Sequence, residues 1–423
     1  NGVPSGGISN NPADVNNPSF KPIFINTAGQ RCLGYADVNT NIGATNCSIN
    51  LASFTTAPRD AYTPYTQQYN LTIQRELWKG WAIELGYVGS HYTGGIGIWD
   101  PFLATLASPS SPITVRDVNG VTYNITTNTV NNEELRHQIL GLSRKKGARY
   151  SSNIGFAIYN SFQMTVSRRL QRGLYFQAAY TYSKTIDNVS GSLSTDELNA
   201  TRAGQNGANI YNDQSNVQQN KARGDFDRPH RLVVSYTYDL PFGKGQRYLS
   251  DIGSTLNKFL GDWSISGITT YQSGLPFSVT DSASGGVYGT ALGTAQFICA
   301  NAESAYTTGS TIDRLNHYLN PACFTTVPAV PNAAGSGATG WGNSPRNAWR
   351  GPSQQNWDFS VIKAFKIGER NNFQFRTDFF NLFNHPVFSN PSAVNIGTAS
   401  TFTQITTTAV PARLIQFALK YSF

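Results

Sequence analysis

The chain has 423 residues and a formal net charge of +8, with only 13% charged residues where a soluble domain usually carries about 25%. Aromatic residues make up 12%, yet no run of about 18 apolar residues occurs, and this excludes a membrane-spanning helix. Lysines and arginines are scattered along the chain, so we expect no nucleic-acid partner.

The N-terminal segment, residues 1–63, is rich in Asn, Pro and Gly and shows no periodicity, which predicts a polar lead-in or extracellular loop. Cys32 and Cys47 lie in it, and Cys299 and Cys323 form a second pair inside another polar segment. Neither pair has the spacing of a zinc site. We expect each pair to form a local disulfide in a loop facing an oxidising space, with free thiols as the alternative.

From residue 64 onward the apolar residues recur with a period of two, which indicates strands with one apolar and one polar face. Tight turns are predicted near residues 79–80, 171–173, 241–245 and 368–371, and each closes a hairpin. Long polar stretches, near 92–156, 183–227 and 281–353, separate these hairpins. Short turns alternating with long loops are typical of bacterial outer-membrane barrels, with short periplasmic turns and long extracellular loops.

The last strand is the clearest of all, because its apolar face consists of Ile415, Phe417, Leu419, Tyr421 and Phe423. Such a strand at the edge of a soluble sheet invites aggregation, whereas barrel closure removes the edge and lipid covers the apolar face. We therefore predict an all-β, antiparallel transmembrane β-barrel in the outer membrane of a Gram-negative bacterium. The last strand of a soluble sandwich is the alternative.

The pattern contains about nine strands over residues 64–423. Bacterial barrels made of one chain have even strand numbers, so we expect this region to be the C-terminal part of a larger barrel.

Four tryptophans are predicted to lie near the short-turn ends of their strands: Trp78, Trp81, Trp263 and Trp357. We expect them to form the periplasmic aromatic girdle at the lipid headgroups rather than sugar-stacking platforms.

Residues 64–423 also contain an ordered set of short phrases: YTQQYNL (65–71), GYVGS (86–90), YTYSK (180–184), DFDRPHR (225–231), LPFGKG (240–245), GLPF (274–277) and FFNLFNHP (379–386). In these phrases and its aromatic terminus the chain resembles the C-terminal barrel region of Oar-like TonB-dependent receptors. The resemblance implies a barrel whose lumen holds a plug, with a TonB-contacting segment upstream; neither is recognisable in this chain. It further implies that Phe417, Leu419, Tyr421 and Phe423 are read by the barrel-assembly machinery, with packing alone as the alternative.

Weak candidates for a site lie where strands meet the long loops. Asp225, Asp227 and His230 suit a divalent cation or, alternatively, the support of loop backbone. Asn384 and His385 suit a ligand contact at the barrel mouth or a strand-end cap. We predict no metal site and no cofactor.

Polar residues of the strands are expected to line the lumen, among them Gln67, Lys184, Arg376 and Lys420.

The five histidines are dispersed along the sequence and no catalytic motif is present, so we expect that the protein is not an enzyme. The resulting hypothesis is a TonB-dependent receptor-like barrel that moves or binds an unidentified ligand across the outer membrane. The alternative is a non-transporting structural or adhesive surface protein whose disulfide-stapled loops bind a partner.

Overall fold

The computed structural model describes residues 23–25, 31–33, 55–56, 61–78, 80–100, 103–116, 122–136, 149–171, 173–190, 210–289, 293–367 and 371–423. The strands in chain order are β1 (Ile23–Ile25), β2 (Arg31–Leu33), β3 (Thr55–Thr56), β4 (Tyr65–Trp78), β5 (Trp81–Trp99), β6 (Ile113–Arg116), β7 (Thr122–Ile125), β8 (Arg149–Gln171), β9 (Leu174–Asp187), β10 (Ala222–Arg223), β11 (His230–Asp239), β12 (Trp263–Gln272), β13 (Pro276–Phe277), β14 (Gln296–Phe297), β15 (Phe324–Thr325), β16 (Trp349–Arg350), β17 (Gln354–Ile367), β18 (Asn371–Phe380) and β19 (Leu414–Ser422).

In the described part of the chain, helices occur as short segments between these strands. The described residues include two α-helices, α1 (Ser254–Leu260) and α2 (Thr311–Asn316). Single 3₁₀ turns occur at Glu133–Arg136, Val217–Asn220, Gly286–Tyr288, Ala302–Ala305 and Pro321–Cys323. None of the described helices has the length and apolarity needed to cross a bilayer.

Nine strands form an antiparallel meander that we call the wall. Its order is β19-β18-β17-β12-β11-β9-β8-β5-β4, so each strand pairs with its neighbours along the wall. The predicted all-β fold and the count of about nine strands are thereby confirmed. Within the described residues β4 and β19 are the two edges of the wall, and the larger barrel stays a prediction.

The register gives the wall one apolar and one polar face. Leu85, Met164, Tyr180, Leu232 and Tyr271 are cross-strand neighbours in one row over five adjacent strands. On the opposite face a row of polar residues crosses four strands: Ser266, Ser360, Asp378 and Gln416. Each face is continuous because side chains alternate along every strand and antiparallel neighbours stay in register.

Two strands are much longer than the alternation predicts. β5 has 19 residues and β8 has 23, whereas about 9–11 tilted residues cross a bilayer. Their pairing continues to Trp99 and Tyr150, inside the stretch expected to be a loop. Register shifts around Gly95 interrupt the period of two there, and the ideal Cβ of Gly155 would lie 2.8 Å from the Gly95 carbonyl oxygen. The pair tolerates only glycine at this contact. The broken alternation concealed the extensions of the two strands, whose central parts the sequence did predict.

The two ends of the wall differ as predicted. β4–β5, β8–β9 and β17–β18 are joined by connections of two to three residues, at the end that we call the short-turn end. Longer connections, which follow β5, β9, β12 and β18, lie at the opposite long-loop end. The β11–β12 connection, residues 240–262, is the exception at the short-turn end because it contains α1.

Candidate functional site

The long-loop end has a hydrophobic core of its own, which we call the loop core. Its buried residues are Phe277, Val279, Ala295, Ala305, Leu319, Cys323, Phe324, Trp349, Val394 and Phe402. They come from the β12–β17 and β18–β19 connections, and Phe324 contacts both Trp349 and Phe402 with ring centroids 5.0 and 5.3 Å apart. A backbone hydrogen bond from the Thr280 N–H to the Val394 carbonyl oxygen also joins these connections. The two long loops therefore fold as one unit.

A disulfide between Cys299 and Cys323 closes part of the loop core, as predicted. The bond spans 24 residues and brings the segment after β14 against the one before β15. Cys47 lies outside the described residues, so the predicted pairing of Cys32 with Cys47 stays a prediction.

Removing this disulfide is expected to loosen the loop core while leaving the wall intact. For a closed loop of this length the cross-link contributes about 3 kcal/mol, chiefly by restricting the unfolded chain. The double variant Cys299→Ser, Cys323→Ser should therefore be cleaved much faster by protease within residues 293–350. Unchanged cleavage would contradict the prediction, and heat-modifiable migration on denaturing gels serves as the control for the wall.

A buried ion-pair cluster fastens the loops to the wall. Arg346 donates to Asp187 at 2.7 Å and to Asp225 at 3.2 Å, and all three side chains are at most 6% exposed. Asp187 ends β9, Asp225 belongs to the β9–β11 connection, and Arg346 belongs to the β12–β17 connection. The Asn347 amide also donates to the Asp225 carboxylate at 2.7 Å. One guanidinium thus joins two loops to a wall strand.

A second ion pair lies beside the first. Arg350 binds Asp227, whose other carboxylate oxygen accepts a 2.6 Å hydrogen bond from the Thr185 backbone of β9. Asp227 is 1% exposed, so its carboxylate interacts with protein groups rather than with solvent. The carboxylates of Asp225 and Asp227 therefore support the loops. No group of three or more potential metal ligands occurs among the described residues, and the absence of a metal site stays a prediction.

Besides Arg346, a second buried guanidinium binds the β5–β8 connection to the β12–β17 connection. Arg136 is 1% exposed and donates to the carbonyl oxygens of Thr105 at 2.7 Å and Val287 at 2.5 Å. Burial lowers the pKa of Arg136 to about 10, so the side chain remains charged at neutral pH. The β12–β17 connection thus contacts each of the other three long connections.

The sequence did not single out Arg136, Arg346 or Arg350. About 120 residues separate Arg346 from Asp225, and no periodicity links them. The one available signal is compositional: two arginines flank a tryptophan just before β17, in a stretch of low overall charge.

His230 and His385 line the same cleft, of about 450 Å³, at the long-loop end. Tyr180, Leu232 and Tyr271 of the apolar row form its floor. His230 Nδ1 lies 2.8 Å from the Tyr180 hydroxyl, and His385 Nε2 lies 3.3 Å from the Gln355 amide. The cleft lies on the apolar face of the wall, so the ligand contact at the barrel mouth, one of the two alternatives for His385, stays a prediction.

Asn384 has a local structural role. Its backbone is left-handed with φ 52°, and its side-chain oxygen accepts a 2.9 Å hydrogen bond from the Arg413 backbone. Its neighbour Asn381 has φ 51° and accepts from the His385 backbone at 3.0 Å. Asparagine tolerates this conformation and satisfies nearby backbone groups, as the strand-end cap alternative requires.

Three of the four tryptophans lie where the sequence placed them. Trp78 and Trp81 flank the β4–β5 turn, and Trp263 begins β12 at the short-turn end. The placement of Trp357 is wrong: it is the fourth residue of β17, pairs with Thr269 and lies at the long-loop end. Strand β17 runs from the long loops toward the turn, so a residue near its start belongs to the opposite rim. The girdle role stays a prediction.

Of the four residues predicted to line the lumen, two lie on the polar face of the wall and two lie on its apolar face. Arg376 and Lys420 belong to the polar face, where Arg376 pairs with Asp378 at 2.8 Å. Gln67 and Lys184 were assigned wrongly, because their registers place them with the apolar face. Both lie near the long-loop ends of their strands, where polar residues beyond the bilayer interrupt the apolar pattern.

The terminal strand has the predicted alternation. Phe417, Leu419 and Tyr421 are at least half exposed on the apolar face, and Phe423 is 93% exposed. Recognition of these terminal-strand residues by the barrel-assembly machinery stays a prediction.

In comparison with known protein families, the family described as "Outer membrane beta barrel domain" matches residues 4–416. Two similar solved structures are the outer membrane transporter YddB from Escherichia coli and the ferric citrate transporter FecA in its unliganded form. YddB is 12% identical with a TM-score of 0.38, covering 88% of this chain and 34% of its own. FecA is 10% identical with a TM-score of 0.33, covering 84% and 31%. The chain thus spans about a third of the length of either transporter, and no curated protein matches it.

Proposed function

The chain belongs to the outer membrane beta barrel domain family and lies in the outer membrane of a Gram-negative bacterium, and from that premise we propose that it forms the wall and ligand-selecting loops of a TonB-dependent receptor-like transporter. The observation that carries the proposal is the set of long loops fastened to one another and to the wall at one end.

The wall supplies the two surfaces that a transporter needs. Its apolar face meets outer-membrane lipid, as the family requires. Its polar face carries Ser266, Ser360, Asp378 and Gln416 in one row and fits a lumen filled by water or a plug.

The loops supply the means of selection. The β12–β17 connection is their centre, since it contacts the others through Arg136, Arg346 and the loop core. A ligand bound between such loops would act on all four at once. We propose a polar ligand, such as a saccharide or a peptide, because the loops are rich in Asn, Thr, Ser and Gly.

The energy source and assembly route in this proposal follow from the resemblance to Oar-like receptors. An upstream plug would contact the TonB system, and the barrel-assembly machinery would insert the barrel by its terminal strand. No chemical step is required of the chain, so we propose that it acts without enzymatic activity.

The test is solute depletion by the bacterium that produces the native polypeptide. Cells with the gene, cells lacking it and cells lacking TonB are grown on a mixture of oligosaccharides and peptides, and each remaining solute is quantified by mass spectrometry. We expect at least one solute to be consumed only when both the gene and TonB are present. Identical depletion in all three strains, together with loss of surface attachment on gene deletion, would overturn transport and favour the adhesive alternative.

A further inference from the structure

The β11–β12 connection, residues 240–262, exposes apolar side chains at the short-turn end. Leu249, Leu256, Phe259 and Leu260 are 47%, 57%, 69% and 45% exposed. Three of them lie on α1, which has no buried residue. A seven-residue helix gains little stability alone. Because none of the described residues buries the apolar side chains of α1, we infer that another phase covers them.

This connection is continuous with the apolar face of the wall. The indole Nε1 of Trp263 donates to the Phe259 carbonyl oxygen at 2.7 Å, and Trp263 begins β12 on that face. Its cross-strand neighbour Lys363 donates to the Gly261 carbonyl and lies 5.7 Å from the Trp263 ring. A tryptophan with an apolar body and a satisfied N–H suits the membrane interface. The exposed apolar residues therefore begin where the lipid-facing surface ends.

A cleft of about 800 Å³ opens beside the connection, with cationic and apolar walls. Arg168 and Arg247 contribute guanidinium groups, Leu174 and Tyr238 contribute apolar surface from the wall, and Asp239 contributes one carboxylate. The two cationic side chains also lie over aromatic rings. Arg168 is 5.4 Å from the ring of Trp81, and Arg247 is 5.5 Å from that of Tyr248.

The chemistry of this cleft fits a lipid phosphate. Guanidinium groups bind phosphate oxygens through paired N–H donors and are more weakly hydrated than an ammonium group. Leu174 and Tyr238 are register neighbours on the apolar face, so an occupant of the cleft can extend its chains along the wall. Water-soluble phosphates fit less well, because they would leave this apolar surface uncovered.

We propose that the β11–β12 connection is a membrane-interface anchor that holds an anionic phospholipid of the periplasmic leaflet. Arg168 and Arg247 bind the phosphate, Leu174 and Tyr238 contact the acyl chains, and the apolar residues of α1 enter the headgroup region. The proposal concerns the contact of the wall with its membrane and does not depend on transport.

The depth of α1 is tested with the native polypeptide in vesicles of phosphatidylethanolamine and phosphatidylglycerol. Phe259→Cys and Ile312→Cys form a matched pair, since both side chains are 69% exposed and lie on short helices at opposite ends of the wall. Each is labelled with bimane under non-reducing conditions. We expect nitroxide lipids to quench the label at 259 several-fold more than at 312, and aqueous iodide to do the reverse. Equal quenching by iodide would overturn the proposal.

The phosphate contact is tested by lipid retention. The variant Arg168→Gln, Arg247→Gln is extracted in mild detergent and its bound phosphatidylglycerol is measured by mass spectrometry, with the exposed Arg314→Gln of α2 as the control. We expect about tenfold weaker retention or more in the double variant, since two charge-assisted contacts are lost, and native retention in the control. Equal retention in both variants would overturn the phosphate site, whatever the quenching shows.

Discussion

Replacing Arg346 with alanine is expected to detach the long loops from the wall. The change leaves the carboxylates of Asp187 and Asp225 buried without their cation, and breaking one partner of a buried pair costs about 3–5 kcal/mol. Hydrogen exchange should accelerate in residues 210–228 and 273–350, while the wall retains its protection. Arg314→Ala is the matched control, because this arginine lies exposed on α2.

A charge-neutral version separates the loss of the ion pair from the loss of side-chain volume. Combining Arg346→Met with Asp187→Asn and Asp225→Asn removes all three charges and keeps most of the volume, which is often far less costly than one unpaired charge. We expect partial return of protection in this triple variant. If Arg346→Ala exchanges like the native protein, the cluster does not hold the loops.

Replacing Trp349 with alanine is expected to open the loop core. Trp349 is 1% exposed, contacts Phe297 and Phe324, and donates to the Ala302 carbonyl at 3.1 Å. Removing a fully buried tryptophan costs about 3–5 kcal/mol through lost burial and the remaining cavity. Limited proteolysis of the purified protein in detergent should then cleave residues 293–350 rapidly.

Two further variants make this test specific. Trp341→Ala removes a half-buried tryptophan stacked on Tyr288, outside the loop core, and should cause a smaller change. Trp349→Phe keeps most of the ring contacts but loses the bond to Ala302, so its cleavage rate should lie between those of the native protein and Trp349→Ala. Equal rates for Trp349→Ala and Trp341→Ala would show that the loop core is not the stabilising unit.

The two variants bear on the proposed function in different ways. Arg346→Ala changes how the loops are held on the wall, whereas Trp349→Ala changes how one loop pair is folded. A ligand gripped between loops should be bound less well in both. We expect the wall to retain its pairing in both variants, so that lost solute depletion would arise at the loops rather than from failed membrane insertion.

The alternation of side chains by itself determined the strands of the wall, their number and the antiparallel fold. This holds because one face of each strand contacts lipid and the other contacts polar surroundings. Apolar and polar side chains therefore alternate along the strand with a period of two. The final strand shows it most clearly, with Phe417, Leu419 and Tyr421 on one face. Where glycines and register shifts broke the period, as near Gly95, the sequence no longer revealed how far the strand continues.

Only the tertiary structure decided how the long loops are built. The pairing of Arg346 with Asp187 and Asp225 joins residues more than 100 positions apart, and loop contacts follow no period that a single sequence displays. It also decided that His230 and His385 share a cleft on the apolar face, and that Trp357 lies at the long-loop rim. Local alternation fixes which side chains share a face, whereas strand direction, register and loop folding decide which of them meet.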